Sequence, residues 1–342
     1  MPYRLGFLGA GKVARHHARA ARVLGATVTI ACTRDINSPN WAPFCEEAPT
    51  ATQMTDGEAL LADSRVDAIV ACLDWKTLPQ WLNRLLELDK PVLLEKPIGL
   101  DLQSTRTLAS RARSTRCLKM VGYNRRFYKP VQRLMDRISR GGLKAADVVI
   151  SETIESHAER HGRDVIPHLL AFASAHVLDL MLYLFGPLEP VAMSAYAETG
   201  HAAPFVSYNG VLRTEAGVPV SLALNADDPT PAGIRCRFDD GSTWHLAPLE
   251  ALTVYQGTEV IPESGTQNIR RYMPKVVETT TVDGDGKPGF KEQMAAFLSG
   301  EPGPAATIED GIRVLEVIDM IEKSATHWTD WTTGRQVAGG RH

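Results

Sequence analysis

The sequence predicts an α/β protein: a doubly wound parallel sheet of the Rossmann type over residues 1–122, then an α+β domain with a mostly antiparallel sheet over residues 123–342, whose C-terminal helices can pack back on the first domain. Three observations lead there. Through the first third of the chain, apolar runs alternate with helical patterns, as β-α-β units do. A glycine-rich turn, Gly9-Ala10-Gly11-Lys12-Val13-Ala14, joins the first apolar run to the first helical pattern. Beyond Tyr123 the rhythm changes, and from Val191 to about Val260 it reads strand, turn, strand. The length, 342 residues, is more than one hydrophobic core ordinarily organises, which agrees with two domains.

The elements follow in order. Leu5–Leu8 reads as a buried strand, Val13–Leu24 as a helix, Thr27–Cys32 as a second strand and Ala68–Leu73 as a later one. Thr77–Leu88 is helical, Pro91–Glu95 is a short strand, Asp101 is an N-cap for a helix to about Ser114, and Leu118–Gly122 closes the series. In the second domain, Val131–Arg140 is helical, Val148–Thr153 a strand, and Leu169–Phe185 a strongly apolar helix stopped by Gly186-Pro187. Turn signals at Glu215-Ala216-Gly217 and Asp239-Asp240-Gly241 separate antiparallel strands. The polar stretch from Gly265 to Pro288 reads as a long loop, and Phe290–Phe297 and Ile308–Ser324 return to helix.

A formal net charge of -3 on an ordinary mixture of 44% hydrophobic and 23% charged residues gives no electrostatic footprint for DNA or RNA. The five cysteines are scattered and never in a C-x-x-C pair, which argues against a disulfide framework or a zinc site and for a reducing compartment. No apolar run reaches membrane-spanning length, and Tyr3 enters a strand pattern with no basic region before it. These features predict a cytoplasmic protein without nucleic-acid or membrane partners.

A dinucleotide pyrophosphate needs backbone N–H groups, close approach and the positive end of a helix dipole. Gly9 and Gly11 permit the approach, Ala10, Lys12 and Val13 complete the turn, and Ala14 takes the small position where helix packs on strand. At the end of the second strand, where an acid would bind the ribose of NAD, Thr33 stands instead, followed by Arg34. A guanidinium pairs with phosphate in two-pronged geometry, so Thr33-Arg34 favours the 2′-phosphate of NADP. The alternative is a solvated Arg34, with Asp35 serving NAD.

The segments Val92-Leu93-Leu94-Glu95-Lys96-Pro97 and Gly122-Tyr123-Asn124-Arg125-Arg126-Phe127 resemble the Gfo/Idh/MocA oxidoreductases, as do His176-Val177-Leu178-Asp179, Phe290-Lys291-Glu292-Gln293 and Ile308-Glu309-Asp310-Gly311 in the same order. The resemblance spans nearly the whole chain. It implies a C-terminal domain with a large open sheet used for homodimers or homotetramers, and NAD(P)-linked chemistry on sugars, cyclitols and related alcohols. It also implies an acid/base or orienting role for Lys96 beside the cofactor, and a place for His176 next to a substrate hydroxyl. Lys96, just past a parallel strand, also lies where ligands of such sheets bind.

Other positions join the candidate site. Glu95 and Asn124 are placed with the cofactor, and Tyr123 and Arg125 with the substrate. Leu73 and Trp75 occupy a loop where the family usually has small residues and proline; the indole either stacks near the cofactor or simply packs. The chain departs from the family where an aspartate commonly lies four residues before the histidine and a glycine two before it: here Phe172 and Ser174 stand. Without that carboxylate, Lys96 and His176 act alone or another polar group substitutes, and His168, eight residues before His176, is one candidate. Arg126 either contacts substrate or braces the fold through a carboxylate. The stretch His157-Ala158-Glu159-Arg160-His161-Gly162-Arg163-Asp164 reads as a loop rich in His and Arg.

Three functions are consistent with these residues. The first is an NADP-dependent (or NAD-dependent) oxidoreductase interconverting alcohol and carbonyl on a sugar, cyclitol or activated sugar. The second is a redox-neutral epimerase, lyase or glycosidase that recycles a bound cofactor. The third is a silent dinucleotide sensor. The presence of Lys96, Tyr123 and His176 favours the enzyme.

Overall fold

A computed structural model describes residues 3–112, 115–197, 206–263, 269–284, 286–330 and 335–336. Its elements run β1 (Arg4–Leu8), α1 (Lys12–Val23), β2 (Thr27–Cys32), α2 (Trp41–Glu47), β3 (Thr52–Met54), α3 (Gly57–Ala62), β4 (Ala68–Ala71), α4 (Leu78–Glu87), β5 (Val92–Leu94), α5 (Leu102–Ala112) and β6 (Lys119–Val121). There follow α6 (Lys129–Ser139), β7 (Leu143–Glu152), α7 (Ile154–His161), α8 (Ala175–Phe185), β8 (Leu188–Ala197), β9 (Val206–Thr214), β10 (Pro219–Ala226), β11 (Gly233–Phe238), β12 (Ser242–Leu246), β13 (Ala251–Ile261) and β14 (Arg271–Thr281). The last are α9 (Phe290–Ser299), β15 (Ala306–Thr307), α10 (Ile308–Ser324), β16 (Ala325–Asp330) and β17 (Arg335–Gln336). Residues 1–127 with 284–316 form one compact unit, and residues 128–283 with 317–342 the other.

The first unit is built on a sheet ordered β15-β6-β5-β4-β1-β2-β3, parallel throughout except for β15 at its edge. Helices cover both faces of such a sheet, so its strands are apolar on both sides: Leu5, Phe7, Ile69, Val70, Leu93 and Leu94 have no exposed surface. Helix α1 turns Ala14, Ala18 and Ala21 onto this core, where small side chains allow close approach. Phe290, Met294 and Phe297 of α9 join the same core. Asp101 caps the start of α5, its Oδ1 accepting the Ser104 N–H at 2.7 Å. The pattern-free stretch between β2 and β4 holds the short elements α2, β3 and α3.

The second unit is a ten-stranded sheet ordered β14-β13-β12-β11-β7-β10-β9-β8-β16-β17. All its pairs are antiparallel except β7 with β10 and β8 with β16. The two turn signals fall where positive φ is required: Gly217 (φ 82°) between β9 and β10, and Gly241 (φ 78°) between β11 and β12. Among the described residues no helix is long and apolar enough to cross a membrane.

Three readings need correction. The long loop read over 265–288 contains β14, which pairs with β13 from Ala251↔Thr281 to Ile261↔Arg271; residues 264–268 lie outside the described ones. As an edge strand, β14 tolerates Pro274 and buries no alternate face, so it carries no period-2 signal. The loop read over His157–Asp164 is helix α7 followed by a 3₁₀ stretch, Arg163–His168. Only Ile154 and Ala158 are buried along α7, too sparse a stripe to announce a helix. The single helix read over Leu169–Phe185 is a π-type turn, Leu170–Ser174, running into α8. His168 therefore does not lie two regular turns before His176.

Candidate functional site

The phosphate turn is shaped by Gly9. Its φ of 103° is open to glycine, its N–H donates to the Cys32 carbonyl at 3.0 Å, and a Cβ there would run into the Cys72 carbonyl. Gly11, the N-cap of α1, differs: nothing lies within 4 Å of where its Cβ would be, so the space above it is open. Helix α1 has neither a side-chain cap nor an acidic residue in its first turn. Its leading N–H groups and dipole are thus left to an external anion. An open cradle above Gly11 with N–H donors beneath fits a dinucleotide pyrophosphate. Ala10 is buried, Lys12 exposed and Val13 half-buried beside it.

At the carboxyl end of β2 the Thr33 hydroxyl faces inward, donating to the Asp35 carbonyl at 2.9 Å and accepting from Gln53 Nε2 at 2.8 Å. It shapes the turn that presents Arg34, whose side chain is 86% exposed and lies 3.8 Å from Asp74. Such an exposed pair, at that length, holds the guanidinium weakly. Asp74 has other work: Oδ1 accepts the N–H groups of Lys76 and Thr77 at 3.0 and 2.8 Å, fixing the loop of Leu73 and Trp75 before α4. Leu73 and Trp75 are both half-buried, and the Lys76 ammonium sits 5.0 Å from the indole centroid.

The segment Glu95-Lys96-Pro97 follows β5 at the same sheet edge, the Glu95 N–H bonded to the Ala71 carbonyl at 2.9 Å. Glu95 is nearly buried, and its Oε1 lies 2.8 Å from Nε2 of His17, a fully buried residue of α1. Gly122 must be small, because a Cβ there would stand 3.0 Å from the Glu95 carboxylate. Lys96 is half-buried. After β6, Tyr123 and Asn124 are buried and Arg125 is half-buried; Asn124 Nδ2 donates to the Pro288 carbonyl at 2.9 Å. Arg126 is 3.5 Å from Asp310. Burial pushes the Asp310 carboxyl up, but Arg126 and the Thr307 bonds outweigh it and hold the group below its ordinary value. Arg126 is thus a brace within the first unit.

Residues 286–290 belong to the first unit, and the expectation that C-terminal helices pack back on the first domain does not name their contacts. The Phe290 ring packs against His16 and His17 of α1, with centroids 5.4 and 4.7 Å apart, and the Lys287 ammonium lies 5.0 Å from the Phe290 centroid. The only signal available was the Phe290-Lys291-Glu292-Gln293 helix just beyond.

In the second unit, His176 is half-buried in the first turn of α8, Asp179 is buried, and His168 is half-buried at the end of its 3₁₀ stretch. Phe172, in the π-type turn, sets its ring edge-on to His161 at 4.8 Å and to His157 at 6.1 Å. The nearby carboxylate comes from elsewhere. Glu152, ending β7, accepts from the Ser174 hydroxyl at 2.9 Å and lies 3.0 Å from Nε2 of His157. Ser174 thus has a definite task, anchoring a buried carboxylate that a search along the helix does not find. Among the described residues no group of three or more His, Cys, Asp or Glu side chains is placed to hold a metal ion.

A family model described as "Oxidoreductase family, NAD-binding Rossmann fold" matches residues 3–123. An inositol 2-dehydrogenase of Rhizobium meliloti (strain 1021) is 26% identical over 235 residues, 64% of this chain and 67% of that protein. The inositol 2-dehydrogenase 2 of Paenarthrobacter aurescens (strain TC1) is 24% identical over 342 residues, covering 95% of this chain and 96% of its own. In fold, the chain is similar to KijD10, a 3-ketoreductase from Actinomadura kijaniata in complex with NADP, with a TM-score of 0.70 at 19% identity, over 96% of this chain and all of that one.

Proposed function

We propose that the chain is a Gfo/Idh/MocA oxidoreductase acting on CH–OH groups, and that it interconverts an alcohol and a carbonyl on a cyclitol, sugar or activated sugar, with NADP preferred over NAD. The observation that carries this reading is the position of Lys96. It stands immediately beyond the carboxyl end of β5, on the same sheet edge as the open phosphate turn after β1. Ligands of open parallel sheets bind along that edge.

A nicotinamide held there would supply or accept the hydride. The remaining work falls to the chain. Gly9 and Gly11 let the backbone approach the pyrophosphate, the Thr33–Gln53 bond holds the turn that offers Arg34 to a 2′-phosphate, and His17 with Glu95 fixes the backbone from which Lys96 projects. The Lys96 ammonium gives its proton to the carbonyl oxygen during reduction, and the free amine takes the hydroxyl proton during oxidation. In this reading Tyr123 and Arg125 of the first unit are assigned to substrate, as are His168, Phe172 and His176 of the second. Assembly as a homodimer or homotetramer through the sheet of the second unit, in the cytoplasm, belongs to the same proposal.

The test is an absorbance measurement at the reduced-nicotinamide band with purified protein, NADP and a panel of cyclitols, including myo-inositol, and sugars. Reduced cofactor formed in step with product supports the oxidoreductase. Product formed while free cofactor stays unchanged replaces it with a redox-neutral enzyme, and binding without any conversion replaces it with a sensor.

A further inference from the structure

The return segment 286–290 brings an additional cation to the N-terminal half of α1. Its position is set by neutral contacts: Asn124 holds the Pro288 carbonyl at 2.9 Å, and the Phe290 ring rests on His16 and His17 in the second turn of α1. With Phe290 anchored there, Lys287 rides over the ring, its ammonium 5.0 Å from the centroid. An aromatic face steadies an ammonium but does not neutralise it.

Among the described residues, several cations gather around Lys287. Lys12 opens α1, whose N-terminus already carries partial positive charge and no acidic side chain. Arg125 follows β6. Among the described residues, Glu95 is the carboxylate that acts on Lys287, and its Oε1 is engaged by His17 at 2.8 Å. The strain shows on two of the groups. Although the Lys287 side chain as a whole is exposed, partial burial of its charged end lowers the ammonium from its ordinary value, with Arg125 and Lys12 adding to the effect against the opposing pull of Glu95. The His16 imidazole is lowered by burial and then by Lys287, His17, Lys12 and Arg15. Like charges gathered around an uncapped helix start cost stability until an anion arrives.

We propose that Lys287 is a ligand of the dinucleotide pyrophosphate, carried from a distant stretch of the chain to the N-terminal half of α1, and that with Lys12 it sets affinity for the cofactor without choosing between NAD and NADP. The inference rests on the dinucleotide reading of the turn and adds to it a specific residue from a segment outside the stretch matched by the family model. The shared diphosphate of the two cofactors is the recognised chemistry; Arg34 stands apart as the residue that meets the group distinguishing them.

The test is equilibrium titration of the full chain with NADPH and with NADH, followed by fluorescence, for the unaltered protein, Lys287→Met and Lys287→Arg. Methionine keeps a stem over Phe290 and removes the charge; arginine keeps the charge. Lys287→Met should raise both dissociation constants about tenfold, equally, and flatten their dependence on salt, while Lys287→Arg stays within about threefold of the original. Constants within twofold of the unaltered protein for Lys287→Met, with the same salt dependence, overturn the role of Lys287. A loss confined to NADPH also overturns it, since that places the ammonium at the 2′-phosphate. If the unaltered protein binds neither dinucleotide, the dinucleotide reading itself falls, a result separate from failure of the variant. Unfolding temperature without ligand, unchanged in both variants, shows that the exposed site tolerates them.

Discussion

Nε2 of His17 lies 2.8 Å from Oε1 of Glu95, joining two residues 78 positions apart in the chain. One sits on the phosphate-turn helix, the other directly before Lys96. The bond couples the helix that would hold the cofactor to the strand end that would hold the proton donor. It is also inaccessible to water, since His17 has no exposed surface. Replacing His17 by Phe fills the space but strands the carboxylate. The expected cost is about 1.5–3 kcal/mol, the range for a hydrogen bond to a charged group, read as a fall in urea midpoint at unchanged slope. An unchanged midpoint removes this bond from the framework of the site.

The two glycines of the phosphate turn separate folding from binding. Gly9→Ala forces a side chain into a positive-φ residue and against the Cys72 carbonyl, so both stability and NADPH binding should suffer, the former on the order of 1–3 kcal/mol. Gly11→Ala meets no protein atom, so the unfolding temperature should hold while NADPH affinity drops at least about tenfold, because the added methyl enters the space above the turn. Thermal denaturation with and without NADPH reads both outcomes. Undiminished binding by Gly11→Ala contradicts a pyrophosphate over this turn.

Cofactor choice is assigned to Arg34. Its weak 3.8 Å pairing with Asp74 leaves the guanidinium available to a phosphate. Arg34→Gln should cost about 1.5–3 kcal/mol in NADPH binding, roughly ten- to hundredfold, and leave NADH within about twofold. Titration with both cofactors decides it; a clear NADH preference in the unaltered protein contradicts the role of Arg34.

A pH dependence follows from His16. The groups facing it are Lys287, Lys12, Arg15, His17 and the Phe290 ring, and burial followed by these cations keeps its imidazole below the ordinary value. Phosphates of a bound dinucleotide screen the cations, so the imidazole value rises in the complex. A group whose value rises on binding takes up a proton and favours the complex at lower pH, the advantage fading as pH rises through the value in the complex. Calorimetry in buffers of different ionisation enthalpy should therefore record proton uptake, between the His16 value in the free protein and its higher value in the complex, that His16→Gln reduces. Proton release, or uptake identical in His16→Gln, contradicts this arrangement.

Much of the fold is legible in the sequence where burial is two-sided. Ile69-Val70 and Leu93-Leu94 read as strands because helices cover both faces of their sheet, and the glycine turn locates the first β-α connection. The edge strand β14 is illegible for the opposite reason: its first seven residues are all exposed, so no alternation marks it. The candidate site divides in the same way. Lys96 and Arg34 stand in local motifs, but the His17–Glu95 bond and the seat of Lys287 depend on contacts between residues remote in sequence, which no spacing rule encodes. Phe172 is visible as a departure, whereas Glu152 is not, because the carboxylate beside Ser174 and His157 enters from a strand end rather than from the helical turn before His176.

The most direct measurement is the turnover of Lys96→Met against that of the unaltered protein, with NADPH binding measured alongside. If Lys96 exchanges the proton with the substrate oxygen, kcat falls about 10²–10⁴-fold while the NADPH dissociation constant changes by less than about threefold. Turnover unchanged in Lys96→Met, with the protein folded and cofactor bound, contradicts the oxidoreductase mechanism built on this lysine.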